Sequence, residues 1–231
     1  MQEGFQSAAG LTPAGAPRTV SAMSAPLTII SHPLVQIRLS RMRDETTGHE
    51  EFRRCMHEIT RLMAYEITRE WETTTYPMRT PLKETLGTAL LHPPVLAPIL
   101  RAGLGMLHGM LEVLPEARVG HIGLFRNEET KLPESYYLRA PEDLSASKVV
   151  LLDPMLATGN SAVAAVSQLR SLGANQIIFA CMLCAPEGLE TFRREHPDVP
   201  IFAAAVDEGL TNRSYITPGL GDAGDRYFGT L

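Results

Sequence analysis

A carboxylate, two hydroxyls and a glycine lie close together in residues 149–162, VVLLDPMLATGNSA. The apolar run ends at Asp153, and Thr158, Gly159 and Ser161 occupy the turn that leads into a helix-forming stretch. Backbone N–H groups at a helix start are unpaired and carry partial positive charge. Hydroxyls add donors, and glycine allows close approach to the backbone. The pattern predicts a phosphate-binding loop. A helix capped by Ser or Asn is the alternative.

Two widespread nucleotide-binding motifs do not fit this loop. The lysine of GxxxxGK[ST] is missing, and GxGxxG does not follow the apolar run. Gly103 and Gly105 in RAGLGM form a GxG after another apolar run. A GxG by itself says little about function.

Short apolar runs alternate with helix-like segments along the chain. The runs are VLAPIL (95–100), VGHIGLF (119–125), KVVLLD (148–153), IIFACMLCA (177–185) and IFAAAV (201–206). Uninterrupted apolar strands between helices are typical of a parallel sheet that is covered on both faces, so the pattern predicts an α/β fold. Ligands of such sheets bind at the carboxyl ends of the strands, where Asp153 lies. Apolar residues at helical spacing also predict a core-facing helix between Glu50 and Trp71.

Four segments fall outside this alternation. Residues 1–25 are rich in Ala, Gly, Ser and Pro, and we expect them to be a disordered extension. Translation could also start at Met23, and the sequence leaves both starts open. Residues 73–90 indicate an extended arm or hairpin, and the polar insert 127–147 indicates a lid. The glycine-rich tail 207–231 is expected to fold over another part of the protein.

The length of 231 residues suits one α/β domain, or one domain with an added flap, better than two independent domains. We predict that this single domain spans residues 26–231. The net charge of −5 argues against a broad nucleic-acid-binding surface, and we expect no nucleic-acid partner. Apolar runs fall well short of the roughly 20 residues of a membrane span, and residues 1–25 lack the pattern of a signal peptide. We therefore expect no membrane partner and a cytoplasmic location.

The three cysteines predict no disulfide framework. Cys181 and Cys184 form a CxxC in a predicted strand, where positions three apart point to opposite faces. We therefore interpret them, and Cys55, as buried structural thiols in a reducing setting rather than as a metal or redox site.

The motifs together resemble a known family. DPMLATGNS resembles the 5-phosphoribosyl 1-diphosphate (PRPP) signature of the phosphoribosyltransferases. The remaining motifs resemble the uracil phosphoribosyltransferases, and they are PILRAGLGM (98–106), FRNEET (125–130), APEG (185–188) and YITPGLGDAGDRYFGT (215–230). The resemblance runs from about residue 31 to the C terminus. It implies a type I phosphoribosyltransferase fold, with a central, mainly parallel sheet flanked by helices, a C-terminal hood at 207–231 that binds uracil and an extended β-arm at 73–90.

The resemblance also implies a reaction, in which uracil and PRPP give UMP and diphosphate. The PRPP-binding residues that it implies are Arg101, Arg126, Asp153, Pro154, Met155, Leu156, Ala157, Thr158, Gly159, Asn160, Ser161 and Asp222. Those implied for uracil are Ile216, Gly221, Asp222 and Ala223, and those implied for catalysis are Asp153, Asp222 and Arg126. Magnesium is expected to arrive with PRPP, with Asp222 as a possible ligand. The resemblance further implies a homodimer or homotetramer and a possible GTP effector.

Elementary chemistry agrees with these roles. Arginine forks suit phosphate oxygens, and magnesium clamps several of them. A carboxylate at Asp153 can hold ribose hydroxyls and tolerate positive charge at the anomeric carbon. Backbone groups of PGLGDAG can match the edge of uracil and reject cytosine. Asn160 stands where the family usually has glycine. If that position needs a positive φ, Asn is the least costly replacement, and we expect the loop to survive.

Several alternatives stay open from the sequence. Arg101 and Arg126 could be surface arginines, and Asp222 and Asp225 could be ordinary turn residues. The protein could instead be a nucleotide-sensing RNA-binding regulator, which should show a basic face. It could also act on another base such as hypoxanthine, which should need a different C-terminal hood.

Overall fold

The computed structural model describes residues 26–126 and 133–230, except for the side chain of Arg126. The N-terminal segment that we expected to be disordered lies outside the described residues, as does most of the FRNEET motif.

Six helices and thirteen strands form in this part of the chain. The helices are α1 (Pro33–Arg43), α2 (His49–Ile67), α3 (Leu104–Val113), α4 (Asn160–Ser171), α5 (Pro186–Glu195) and α6 (Ala223–Phe228). The strands are β1 (Leu27–Ile29), β2 (Thr73–Arg79), β3 (Glu84–Leu90), β4 (Val95–Leu100), β5 (Arg118–Val119), β6 (His121–Arg126), β7 (Pro133–Arg139), β8 (Lys148–Leu152), β9 (Met155–Leu156), β10 (Gln176–Cys184), β11 (Ile201–Val206), β12 (Gly209–Leu210) and β13 (Ile216–Thr217).

The central sheet runs in the order β1-β11-β10-β8-β4-β6-β7. Its strand pairs are parallel, apart from the antiparallel pair β6 and β7. Two short strands, β5 and β9, add parallel pairing to β4 and β10. The mainly parallel α/β sheet predicted from the apolar runs is therefore confirmed.

Helices cover both faces of the sheet and create two apolar cores. The first core packs α1, α2, α3 and α6 on one face, and the second packs α4 and α5 on the other. Alternate residues of β8 serve the two cores: Val150 and Leu152 enter the first, and Val149 and Leu151 enter the second. Burial on both faces explains why the strands read as uninterrupted apolar runs.

The hydrogen bonding of β10 is irregular beside the predicted phosphate loop. The consecutive amides of Met182 and Leu183 both donate to the carbonyl of Pro154, at 2.9 and 3.1 Å. Met182 and Leu183 consequently face the same core, while Cys181 and Cys184 both face the other. Our prediction that the two cysteines point to opposite faces was wrong, because strict side-chain alternation along β10 breaks at Met182 and Leu183. Both thiols are free and buried, and burial raises the pKa of Cys181.

Residues 73–90 form an antiparallel hairpin of β2 and β3, paired from Thr73 with Leu90 to Arg79 with Glu84. Within the polar insert, β7 extends the central sheet beside β6. The rest of the predicted lid includes residues 127–132, which are outside the described part of the chain. None of the described helices is both long and apolar enough to cross a bilayer.

The C-terminal segment forms β12, β13 and α6, and Ile216, Ala223 and Tyr227 pack in the first core. Asp207 anchors its start, since the carboxylate pairs with both terminal nitrogens of Arg43 at 2.7 and 2.6 Å. The same Asp207 accepts the Gly219 amide at 2.9 Å, and Arg43 donates to the Gly219 carbonyl at 2.8 Å. These contacts fix the position of the hood relative to α1.

Candidate active site

The loop after β8 ends in a helix start that lacks a capping side chain. Gly159 is the N-cap of α4 and has a φ of 85°, a left-handed conformation that favours glycine. Asn160 and Ser161, the caps of the alternative interpretation, lie inside the helix instead. The first amides of α4 therefore receive no acceptor from a capping side chain, which favours an anion-binding role.

Asn160 does not need to adopt a positive φ. It is the first residue of α4, and the positive φ of this loop belongs to Gly159. Asparagine is thus accommodated in ordinary helical backbone at the position where the family usually has glycine.

The start of α5 packs against the backbone of the loop. A Cβ placed on Gly188 would lie 2.4 Å from the Ala157 carbonyl oxygen and 2.5 Å from that of Leu156. A Cβ on Gly159 would lie 2.9 Å from the Gly188 carbonyl oxygen. The glycine of APEG therefore allows α5 to touch the loop backbone directly.

Asp153 follows β8 at the carboxyl edge of the sheet. Its amide donates to the Ala180 carbonyl at 3.2 Å, and its carboxylate accepts the Met155 amide at 3.4 Å. The side chain reaches a cavity but is otherwise enclosed by protein. Burial raises the pKa of Asp153 to about 7, and the hydrogen bond from Met155 offsets only part of this effect.

The loop and the hood share a cavity of about 240 Å³. Its lining residues are Ala102, Asp153, Met155, Ala157, Ser214, Tyr215, Ile216, Gly221, Asp222, Ala223 and Gly224. The structure thus brings together Asp153, Met155 and Ala157 with all four residues assigned to uracil. Thr158, Gly159, Asn160 and Ser161 continue from this cavity into α4 without lining it, and Pro154 and Leu156 are buried beneath it.

The cavity is also lined by four residues that the sequence did not predict as site residues: Ala102, Ser214, Tyr215 and Gly224. Each is next to, or within two residues of, an assigned residue, and Tyr215 begins the YITPGLGDAGD motif. Ser214 also has a positive φ of 64°, which the sequence does not signal. Their position next to the motifs was the sequence signal that could have identified these residues.

Asp222 caps the hood helix that closes the cavity. Its carboxylate accepts the Asp225 amide at 2.9 Å, at the start of α6. Tyr227 fixes the other end of this helix, because its hydroxyl lies 2.9 Å from His57 Nε2 and 3.4 Å from His108 Nδ1. Burial, followed by the charge of His108, lowers the pKa of His57. The helix is therefore held at both ends.

Arg101 lies directly after β4, where the Leu100–Arg101 peptide bond is cis. Its guanidinium is 3.3 Å from the Asp225 carboxylate and 5.5 Å from the ring centroid of Phe228, both in α6. Arg126 is the last residue of β6, a neighbour of β4 in the sheet. The structure does not describe the side chain of Arg126.

Comparison with known proteins decides the family. A sequence model of uracil phosphoribosyltransferase matches residues 29–230. The chain belongs to the uracil phosphoribosyltransferase family. Relatives of that name include one from Dictyoglomus thermophilum, 52% identical over 87% of this chain and 98% of the relative. Another, from Paracoccus denitrificans, is 53% identical over 89% of this chain and 98% of the relative.

A solved structure supports the fold. The AQ2163 protein from Aquifex aeolicus is 37% identical, with a TM-score of 0.84 over 88% of this chain and 98% of that protein. The resemblance to the uracil phosphoribosyltransferase family and the type I phosphoribosyltransferase fold predicted from the motifs are confirmed.

Proposed function

We propose that the protein transfers the 5-phosphoribosyl group of PRPP to uracil, which yields UMP and diphosphate. One observation supports this most strongly: a single cavity is lined by Asp153 and Ala157 of the phosphate loop and by Ile216 and Asp222 of the hood. A sugar held at the loop and a flat base held at the hood would meet there. Membership of the uracil phosphoribosyltransferase family supports uracil as the base.

The loop is proposed to bind the 5-phosphate through backbone amides of residues 158–161 and the hydroxyls of Thr158 and Ser161. Asp153 then lies at the cavity beneath the ribose. An ionised carboxylate there accepts hydrogen bonds from ribose hydroxyls and stabilises positive charge as the bond to diphosphate stretches. Burial raises the pKa of Asp153 to about 7 in the free protein. Positive charge that develops near the carboxylate in the reaction favours its ionised form.

Arg101 and Arg126 are proposed to bind the diphosphate side of PRPP. Arg101 follows β4 and Arg126 is the last residue of β6, a neighbouring strand, so both lie at the carboxyl edge of the sheet. Guanidinium groups neutralise charge that grows on the departing diphosphate, which makes it a better leaving group.

The residues present fit magnesium that arrives with PRPP. Among the described residues, no group of three or more His, Cys, Asp or Glu side chains could hold a metal ion alone. The cavity nevertheless offers carboxylate oxygens, the donors that magnesium prefers, at Asp222 and Asp153. Asp222 is the proposed protein ligand, and the bound ion would neutralise diphosphate charge.

Uracil is proposed to lie against the backbone of Ile216 and residues 221–223. Gly221 has a φ of 78°, a conformation in which glycine exposes its amide and carbonyl without a Cβ in the way. Such a backbone edge can pair with the alternating carbonyl and N–H groups of uracil. Cytosine presents a different pattern and would leave polar groups unpaired.

Catalysis in this proposal relies on positioning and electrostatics. The loop and hood hold the sugar and the base in one cavity, which converts an encounter into an intramolecular step. The arginines stabilise the leaving group and Asp153 stabilises the sugar. The transfer needs no covalent enzyme intermediate.

A nucleotide assay tests the proposal. The protein, magnesium and PRPP are incubated with uracil, cytosine, hypoxanthine or adenine in separate reactions, and the nucleotide product is identified. We expect UMP from uracil alone. Product from another base alone would overturn the uracil assignment. Absence of any product, together with salt-sensitive RNA binding, would support the regulator instead.

We also propose a cytoplasmic location, in keeping with three free cysteines, all buried, in the described residues. A homodimer or homotetramer is proposed as the assembly. A GTP effector stays a prediction from the family resemblance.

A further inference from the structure

The second acidic residue of GDAGD has contacts of its own. Asp225 lies in the first turn of α6, and its side chain is 34% exposed. It is absent from the cavity lining, although residues 221–224 all contribute to it. Its amide is the donor that Asp222 caps, so the two carboxylates occupy different environments.

The Asp225 carboxylate connects the hood to the loop after β4. One oxygen, Oδ1, lies 3.3 Å from Arg101 and accepts the Thr230 hydroxyl at 2.6 Å. The guanidinium of Arg101 also lies 5.5 Å from the ring centroid of Phe228. Both contacts come from α6, and the Arg101 side chain is 58% exposed.

We propose that Asp225 is a positioning residue that holds Arg101 ready for the diphosphate and ties this arginine to the hood. The inference rests on the proposed function, in which Arg101 binds diphosphate. An exposed arginine samples many rotamers and loses that freedom when it binds a ligand. A carboxylate and an aromatic ring that already restrain it reduce this loss. PRPP then binds to Arg101 in a position that α6, the helix that closes the uracil site, has already set.

The alternative role for Asp225, competition with diphosphate, predicts a change in PRPP affinity of the opposite sign. A carboxylate that merely competes with diphosphate for Arg101 would weaken PRPP binding, and its removal would strengthen binding. The sign of the change in PRPP affinity therefore separates a positioning residue from a competitor.

The experiment is a double-mutant cycle with Asp225→Ala, Arg101→Gln and the double variant. The KM for PRPP, the kcat and the Kd for PRPP without uracil are measured, the last by calorimetry. Because exposed ion pairs are individually weak, we expect Asp225→Ala to raise the KM and Kd for PRPP about two- to fivefold. The kcat should change less than the KM. The double variant should match Arg101→Gln, since Asp225 acts through Arg101.

Two further variants sharpen the test. Asp225→Asn keeps an oxygen that can accept from Arg101 and should restore part of the PRPP affinity. Asp198→Ala breaks another Arg–Asp pair, with Arg170 at 2.6 Å, away from the cavity. It should leave the KM for PRPP unchanged. Thermal unfolding of each variant monitors the fold.

Three outcomes would overturn the proposal: unchanged PRPP affinity in Asp225→Ala, tighter PRPP binding, or a full Asp225→Ala effect in the Arg101→Gln background. The wild-type protein separates this inference from the proposed function. Wild type that makes UMP while Asp225→Ala is unaffected overturns the role of Asp225 alone. Wild type that binds no PRPP overturns both.

Discussion

Asp153 and Asp222 both line the cavity, but they occupy different environments. Asp153 follows a core strand and is enclosed by protein, whereas Asp222 caps the hood helix. Enclosure makes the charge of Asp153 costly in the free protein, and the proposed ribose site would use that same charge. The two carboxylates can therefore be tested by different measurements.

The first prediction concerns the buried charge of Asp153. Burial raises its pKa in the folded protein to about 7, from the ordinary value of 3.8 for an exposed Asp. Between these values the folded state binds the extra proton, so this group lowers stability as pH rises, and the cost is complete above the folded pKa. Asp153→Asn removes the cost. We expect the unliganded variant to gain melting temperature over wild type, and to gain more at about pH 8 than at about pH 5.

Asp198→Asn is the matched control for this pH series. A hydrogen bond from Arg170 lowers the pKa of Asp198, so its titration ends below that range. The melting-temperature difference between this variant and wild type should stay flat between the two pH values. A similarly flat difference for Asp153→Asn would contradict the burial argument.

The second prediction concerns Asp222. In Asp222→Asn the side-chain oxygen can still accept the Asp225 amide, and Asn caps helices about as well as Asp, so α6 should persist. The variant lacks the charge proposed to face magnesium and the sugar. We expect turnover to fall ~100-fold or more while the melting temperature changes little. Steady-state rates and thermal unfolding measure both, and near-normal turnover would remove Asp222 from the site.

At the scale of elements, the phosphate loop depends on two neighbours. Two consecutive amides of β10 donate to the Pro154 carbonyl and so fix the entry to the loop. The start of α5 packs against the carbonyls of Leu156 and Ala157 at Gly188. The loop therefore derives its shape from β10 and α5 as well as from its own residues.

The third prediction is made on Gly188→Ala. Alanine favours helices over glycine by about 1 kcal/mol, so an isolated helix would gain stability. Here the added methyl would lie 2.4 Å from the Ala157 carbonyl oxygen, so the loop or α5 must shift. We expect a loss of stability of about 1–3 kcal/mol and a raised KM for PRPP. Gly48→Ala is the control, because a Cβ there meets nothing within 4 Å. An equal effect on KM in both variants would contradict the packing argument.

At the scale of the whole molecule, the hairpin of β2 and β3 displays large apolar side chains. Tyr76, Met78, Leu82 and Leu86 are all exposed, and Leu82 is 94% exposed. Few monomers present such side chains together on an extended arm without a partner. A second copy of the chain is the partner that we predict.

The fourth prediction follows from this exposure. We expect the wild-type protein to sediment as a dimer or tetramer, and Leu86→Glu to shift it toward smaller species, because the charge would be buried in the interface. Analytical ultracentrifugation measures the shift. Leu172→Glu, on an exposed leucine after α4, should leave the assembly unchanged. A monomeric wild type would contradict the prediction.

The sequence alone determined the alternation of strands and helices, the loop after Asp153 and the family. Strand burial on both faces requires uninterrupted apolar runs, and these are visible without a structure. The first two elements, β1 and α1, were missed. For α1 the signals were present: Pro33 at its start and apolar residues Val35, Leu39 and Met42 at helical spacing. For β1 only three residues pair with β11, too few for a periodic signal.

Tertiary structure decided how these parts meet. Alternation along β10 breaks at Met182 and Leu183, so Cys181 and Cys184 lie in one core and strand alternation was a poor guide there. The pairing of Arg101 with Asp225 joins residues 124 positions apart. Local patterns reflect preferences over a few residues, whereas such contacts arise from the packing of whole elements. The motifs therefore predicted the residues of the cavity better than their arrangement within it.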